Sequence, residues 1–359
     1  MSGDVVLVTG GSGFLGQHVI KHLQEQADHV GEIRILDVEP FQKKLDYEDK
    51  KPVIPLIGSI TDEDILRKAT KGVNCVMHLA AVVSVKTFPD TALMEEVNIR
   101  GTQMLIQACI MQNVDLLIHC STMDVVIGYN NIINGTEATV DYPNQHLFDS
   151  YAVTKCQGEM AVLKANGETL SNGNHLQTLT LRPVLMYGEL DPYFMTRLIK
   201  TTARSGGKLT KFGSSQSYAQ FVYVGNVAWS FICAHKALRS DPDLGGEAFF
   251  ITDNTPTENF FNFSKPFLEA NGFCLSSRSI PYWLIYFLIF FLNFVAWIIS
   301  PIKQIDMPTT LSSVIFMNMK ISFSSKEAHK VINYKPLFEP DQSHNLSMLF
   351  YGNYLKGDQ

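Results

Sequence analysis

Apolar runs and amphipathic stretches alternate along the first half of the chain. DVVLVT (Asp4 to Thr9), EIRILD (Glu32 to Asp37), VIPLIG (Val53 to Gly58), VNCVMHLAA (Val73 to Ala81), VDLLIHCS (Val114 to Ser121) and TLTLRPV (Thr178 to Val184) are short and almost continuously apolar. Runs of this kind suit strands covered on both faces, as in a parallel sheet. Between them, apolar positions at helical spacing predict helices from about Phe14, from Thr61, over roughly Thr91 to Gln112 and over about Ser150 to Ala165. Strands joined by helical crossovers imply an α/β fold with a doubly wound parallel sheet, the Rossmann arrangement.

Beyond Val184 the alternation loosens. A helix near Tyr193 to Arg204, a strand in AQFVYV, a helix over about Asn226 to Leu238 and a strand over Glu247 to Thr252 are expected. The pattern divides the chain into a nucleotide-binding domain (1–182 and 219–252) and a smaller C-terminal substrate lobe (183–218, 253–279 and 304–359). The remaining piece, 280–303, breaks the globular pattern. From Ser279 to Ile302 no charged residue occurs. That length suffices to enter or cross a bilayer. Pro281 and Pro301 bracket it, and Tyr282, Trp283 and Trp297 near its ends suit a membrane interface. A membrane-associated helix is expected, dipping into one leaflet with both chain ends on the same side. The first strand opens by Asp4, leaving no room for a signal peptide before it.

Composition narrows the field. The 359 residues are 46% hydrophobic and 18% charged, with a net charge of −6. That is a globular balance without the basic footprint of a nucleic-acid binder. Six cysteines stand singly with no CxxC pair, so neither a zinc framework nor a disulfide framework is expected, and no metal site is assigned.

TGGSGFLG, residues 9–16, carries the first candidate chemistry. It follows a strand and opens a helix, the context in which a glycine-rich turn cradles a dinucleotide pyrophosphate. Gly10 permits the tight turn, Gly13 lets phosphate approach the backbone, and Gly16 lets the helix sit close to the sheet. Gly11, Gly13 and Gly16 satisfy the same spacing, so the register stays open. The helix opening at Phe14 and Leu15 offers free N–H groups to phosphate. Asp37 ends the second strand, where a carboxylate accepts ribose hydroxyls and repels the extra phosphate of NADP. The cofactor expected is NAD.

Tyr151 and Lys155 lie four apart in SYAVTK, on one helix face. Tyr is a poor base at neutral pH, and a neighbouring Lys favours its phenolate. Tyr151 can then take an alcohol proton while hydride leaves the carbon. Thr122, at the end of the fifth strand, is placed to hydrogen-bond the substrate oxygen. Ser121 would point to the other face if the strand continued.

TGGSGFLG, Asp37, HLAA, VNIRGT, the strand-end Ser-Thr, YAVTK and LRPVLMYG follow one another as in an extended short-chain dehydrogenase. With VNIRGTQMLIQAC, VYVGNVAW, ITDNTP and SSKEAHKVINYKPL added, the chain most resembles the 3β-hydroxysteroid dehydrogenase/isomerase family. The resemblance implies that Lys155 binds the nicotinamide ribose and that Ala80 lies on the cofactor. It also implies that Arg182 and Pro183 shape the nicotinamide end, and that Asn98 kinks its helix to support a proton relay to Lys155. His78 reads as a packed strand-end residue. Two departures stand out. Ser59 replaces an Asp usual after the third strand. Phe249 and Phe250 occupy the place of isomerase tyrosines, although Asp253 remains.

These features imply NAD-dependent oxidation of a 3β-hydroxyl on a steroid or sterol, with the isomerase step in doubt. The alternatives are a decarboxylating sterol 4-carboxylate 3-dehydrogenase, a nucleotide-sugar epimerase or dehydratase, and a non-catalytic NAD-binding scaffold. The expected partners are a steroid or sterol, a membrane and a second copy of the chain in a homodimer. The resemblance implies the cytosolic face of the endoplasmic reticulum membrane, with lipid-droplet or mitochondrial membranes as alternatives.

Overall fold

A computed structural model describes residues 3–307 and 309–355. Seven strands form one parallel sheet. Its spatial order runs Val53–Ile57 (β3), Val30–Asp37 (β2), Asp4–Thr9 (β1), Cys75–His78 (β4), Leu116–Cys120 (β5), Gln177–Pro183 and Glu247–Ile251. The order reverses between β1 and β4, which opens a crevice at the carboxyl ends of the strands. Val6, Val8, Ile33, Met77 and Ile118 fill one side of the sheet, and Leu7, Leu36, Val76 and Leu117 the other. The fold is the doubly wound α/β arrangement expected.

The differences from expectation are local. The second helix begins at Glu63, because Asp62 stays outside and its side chain accepts from the Ile65 N–H. The long helix after β4 is interrupted by a π-helical stretch over Glu95–Gly101. AQFVYV contributes only Phe221–Tyr223, which pairs with Leu185–Tyr187 outside the main sheet, and the next helix already starts at Val224. Among the described residues two further two-stranded pieces also lie outside the main sheet.

The uncharged stretch splits. Its first residues end the strand Cys274–Ile280, paired in parallel with Lys208–Phe212, and Pro281 then caps an eighteen-residue helix, Tyr282–Ile299. One stripe of this apolar helix is buried, at Ile285, Ile289 and Ala296. Its neighbours there include Phe212, Leu311 and Val314. The rest of its surface faces outward, with Phe287 62% and Trp297 66% exposed. Beyond the helix the chain returns to the sheet domain. Ile321–Phe323 pairs with Ile132–Gly135, and the Tyr334 hydroxyl donates to the Thr252 carbonyl at 3.0 Å.

Candidate active site

The glycine turn meets the sheet where expected, and the register is settled by backbone geometry. Gly10 has φ +73°, a region L-residues rarely adopt, and a Cβ there would sit 2.8 Å from the Ala80 nitrogen. A Cβ on Gly16 would lie 2.6 Å from the Cα of Gly11. Gly13 caps the helix Phe14–Gln26 (α1) with extended backbone and no side-chain cap, leaving the first N–H groups of the helix without partners from a capping side chain. This turn forms one end of a 960 Å³ cavity that also reaches Asp37, Ala80, Thr122, Tyr151, Lys155 and Pro183. Phe14, Leu15 and Gly16 line it as well.

Asp37 holds the turn and faces the same cavity. One carboxylate oxygen accepts from the Ser12 N–H at 2.9 Å and the other from the Glu39 N–H at 3.0 Å. Each oxygen retains a lone pair for a hydroxyl. The bare backbone, uncapped helix tip and strand-end carboxylate suit a dinucleotide. Gly10, Gly13, Phe14, Leu15 and Asp37 would hold it. Ser59 lines the adjoining wall, bonded to the Thr61 hydroxyl at 2.8 Å. Lys44 also reaches this cavity, a cation that inspection of the residues right after Asp37 does not find.

Tyr151 and Lys155 share a face of the helix Asp149–Lys164, and both line the cavity. The Lys155 ammonium donates to the Cys120 carbonyl at 2.8 Å and to His119 Nε2 at 3.1 Å. His119 is therefore the Nδ1–H tautomer, and that nitrogen, buried, has no partner. Burial lowers the Lys155 pKa and pushes the His119 pKa well below its ordinary value. Burial also drives the Tyr151 pKa well above 10, with Asp124 adding to the rise and the Thr122 hydroxyl opposing it. Bound NAD supplies a hydride acceptor whose positive ring favours the phenolate.

Ser121 and Thr122 both line the cavity, because the strand ends at Cys120 and its alternation does not carry on. The strand does not continue, so the condition under which Ser121 would face away is not met. The Thr122 hydroxyl is 3.1 Å from an Asp124 carboxylate oxygen, to which it donates, and it accepts from the Asp124 N–H at 3.2 Å. The Ser121 hydroxyl has no partner. Asp124, whose pKa burial raises to about 6, is a neighbour the sequence pattern does not single out. His119 and Tyr193 are two more; only the fold brings them beside Lys155 and Tyr151.

Other expectations change. Asn98 does lie in the π-helical kink. Its amide, however, accepts from the Val82 N–H at 2.8 Å and donates to the Val82 carbonyl and to Thr154 Oγ1. It ties a loop to the Tyr151 helix at Thr154, the residue before Lys155. Arg182 does not shape the nicotinamide end. It points to the opposite sheet face from Pro183 and pairs with buried Glu159 at 2.6 Å. His78 is packed as expected, between the hydroxyls of Thr9 and Thr102. Phe249 and Phe250 are core residues, and Asp253 accepts from the Tyr223 N–H and the Asn226 amide. None of these three lines the cavity.

The glycine turn, the strand-end carboxylate and the Tyr-Lys helix at one sheet edge define an NAD-dependent short-chain dehydrogenase/reductase of the extended type. The model of the 3-beta hydroxysteroid dehydrogenase/isomerase family matches residues 7–282. The chain belongs to that family. Its fold is also that of nucleotide-sugar enzymes. MoeE5, solved with UDP-glucuronic acid and NAD, superposes with a TM-score of 0.68 at 20% identity, over 99% of this chain and 100% of its own. The UDP-glucose 4-epimerase of Thermotoga maritima, solved with UDP-glucose, gives 0.70 at 20% identity, over 98% and 99%. The dTDP-glucose 4,6-dehydratase DesIV of Streptomyces venezuelae, solved with NAD, gives 0.69 at 19% identity, over 97% and 96%. At these identities the likeness concerns the fold.

Proposed function

We propose that the protein oxidises the 3β-hydroxyl of a steroid or sterol to the ketone with NAD. The observation that carries this reading is a second cavity. Tyr151 lines both the nucleotide cavity and an adjoining one of 400 Å³. The second cavity is walled by the apolar Val85, Phe88, Phe148 and Leu311, by Asn293 and Trp297 of the apolar helix, and by the polar Ser84, Thr87, Asp149, Ser150, Thr310 and Ser312. An apolar ligand at Tyr151 would thus lie against the helix that faces outward. Lys86, a cation of that wall, is paired with Asp306 at 3.5 Å. In this reading Tyr151 Oη takes the proton of the substrate hydroxyl. Lys155 holds positive charge behind it, and Thr122 or Ser121 steadies the oxygen as it becomes a carbonyl.

The nucleotide-sugar reading stands second, supported by full-length likeness to enzymes of that class. One assay separates the two. Purified protein and NAD are given 3β-hydroxysteroids, sterols, sterol 4-carboxylates and UDP-sugars, while NADH is followed and products are weighed. Steroid oxidation yields NADH and a loss of two hydrogens; decarboxylation adds loss of carbon dioxide. Epimerisation of a UDP-sugar without net NADH would replace the steroid reading.

We further propose a monotopic attachment at the cytosolic face of the endoplasmic reticulum, of which the apolar helix supports the membrane contact alone. Its buried stripe runs most of its length against the lobe, and the chain beyond it packs back on the sheet domain. Tags on both ends should be open to protease in sealed microsomes. A protected C-terminal tag would mean that the helix spans.

A further inference from the structure

The charges around the apolar helix are one-sided. The protein as a whole is acidic, at −6. Yet residues 192–215 contain Arg197, Lys200, Arg204, Lys208 and Lys211 and no Asp or Glu. Residues 270–305, which include the helix, contain Arg278 and Lys303 and again no acid. The first segment reaches both ends of the helix. At its entry, Lys211 pairs in register with Ser279 and Phe212 with Ile280, just before Pro281. At its exit, Arg197, Lys200 and Arg204 line a 510 Å³ cavity together with Asp306 and Met307, which follow the helix. The three cations recur at helical spacing on Met195–Arg204, so one face presents them together. Among the described residues Arg197 and Arg204 stand in no ion pair. Between entry and exit lie the outward Phe287, Phe291, Phe294 and Trp297.

We infer that this basic collar is a docking surface for an anionic bilayer, with the Arg197–Lys200–Arg204 cavity receiving a lipid headgroup. The inference rests on the membrane reading above and adds which lipids that membrane presents. Outward aromatic and aliphatic side chains enter the acyl region. The arginines beyond the helix exit match phosphate or carboxylate with paired N–H donors. Two basic segments, with Asp306 of the cavity already paired to Lys86, are what an interface with negative surface potential selects. The headgroup cavity shares no lining residue with either cavity that Tyr151 lines, so it is separate from the chemistry.

The test uses the full-length protein transferred from detergent to vesicles and read by flotation. Vesicles are phosphatidylcholine alone or phosphatidylcholine with phosphatidylserine. Wild type should partition at least about tenfold more strongly onto the anionic vesicles, and raised salt should remove the difference. Each basic residue at such a surface contributes about fivefold. Arg197→Gln with Arg204→Gln should therefore cost about 25-fold on anionic vesicles and leave neutral vesicles and NAD binding unchanged. Retained NAD binding also reports that the variant is folded; if it is not, Lys208→Gln with Lys211→Gln serves as the second variant. Equal partition of wild type onto both vesicles would overturn the inference, as would a folded variant that binds anionic vesicles like wild type. Binding of uridine diphosphate to wild type, lost in the Arg197 and Arg204 variant, would mark a nucleotide site instead and also overturn it. A steroid panel without turnover would end the substrate reading and leave these measurements standing.

Discussion

Two helices of this molecule reverse the usual relation between polarity and burial. Helix α1 carries Gln17, His18, His22 and Gln24, yet ten of its thirteen residues are buried. The apolar helix Tyr282–Ile299 has no charged residue, yet only three of its eighteen are buried. The difference lies in where each polar group finds a partner. In α1, Gln17 donates to the Gln42 carbonyl at 2.8 Å and Gln24 to the Lys51 carbonyl at 2.9 Å. His18 and His22 bond the carbonyls of Glu189 and Gly225 at 3.0 Å. Each of these bonds replaces one to water, and among these four side chains only His22 Nδ1 is left buried without a partner. The apolar helix needs no partner for its side chains, and it lacks a protein surface large enough to cover them. One helix is held by the fold it supports; the other is held on one stripe and left open on the rest.

The largest expected effect lies between the two helices, at the tyrosine both cavities share. Tyr151→Phe should lower turnover by about 10²–10⁴ while NAD binding, which depends on the α1 end, stays near wild type. Stopped turnover with intact NAD fluorescence quenching would confirm the division. Near-wild-type turnover would remove Tyr151 from the chemistry.

Next comes the exposed face. Phe287→Glu with Phe291→Glu should weaken partition onto vesicles by about two orders of magnitude, since each Phe gains about 1.5–3 kcal/mol on leaving water. The melting temperature in detergent should scarcely move, because neither side chain packs on the lobe. A large drop in melting temperature would show that this face is covered by protein.

The buried polar helix should reveal itself in acid. Burial lowers the His18 pKa to about 4 and the His22 pKa to about 3, from 6.5. A depressed histidine favours the folded state fully above pH 6.5, and that stability is lost progressively as pH falls toward the folded value. Each such histidine adds a slope of about 1.4 kcal/mol per pH unit in this window. Denaturant unfolding between pH 6.5 and 4 should show this slope, and His22→Gln should reduce it by about one proton. An unchanged slope would mean His22 is protonated in the folded protein.

The smallest effect is a change of preference. Asp37→Ala should narrow the ratio of kcat/KM for NAD over NADP, because repulsion of the 2′-phosphate is lost and Lys44 stands in the same cavity. An unchanged ratio would assign ribose reading to another residue.

Much of this was legible along the chain, for a physical reason. Short apolar runs with helical crossovers restrict the fold to a parallel sheet. Gly10 is required by its left-handed φ and Gly16 by close approach to the Gly10–Gly11 backbone, both within one short turn. Tyr151 and Lys155 are brought together by one helical turn. The family follows from these motifs in sequence order, and its model matches them. What tertiary structure alone decided is of a different kind. It set Arg182 away from the cavity and left Ser121 unpaired within it. It placed His119 against Lys155 and spent the Asn98 amide on Val82. Each depends on where a strand ends or which face a neighbour covers, and no local spacing encodes that. The apolar helix shows the same limit most plainly. Its sequence establishes that it is too apolar for water. Only the packed molecule decides that one stripe is covered, that the other faces outward, and that Arg197, Lys200, Arg204 and Lys211 of a distant segment gather at its ends.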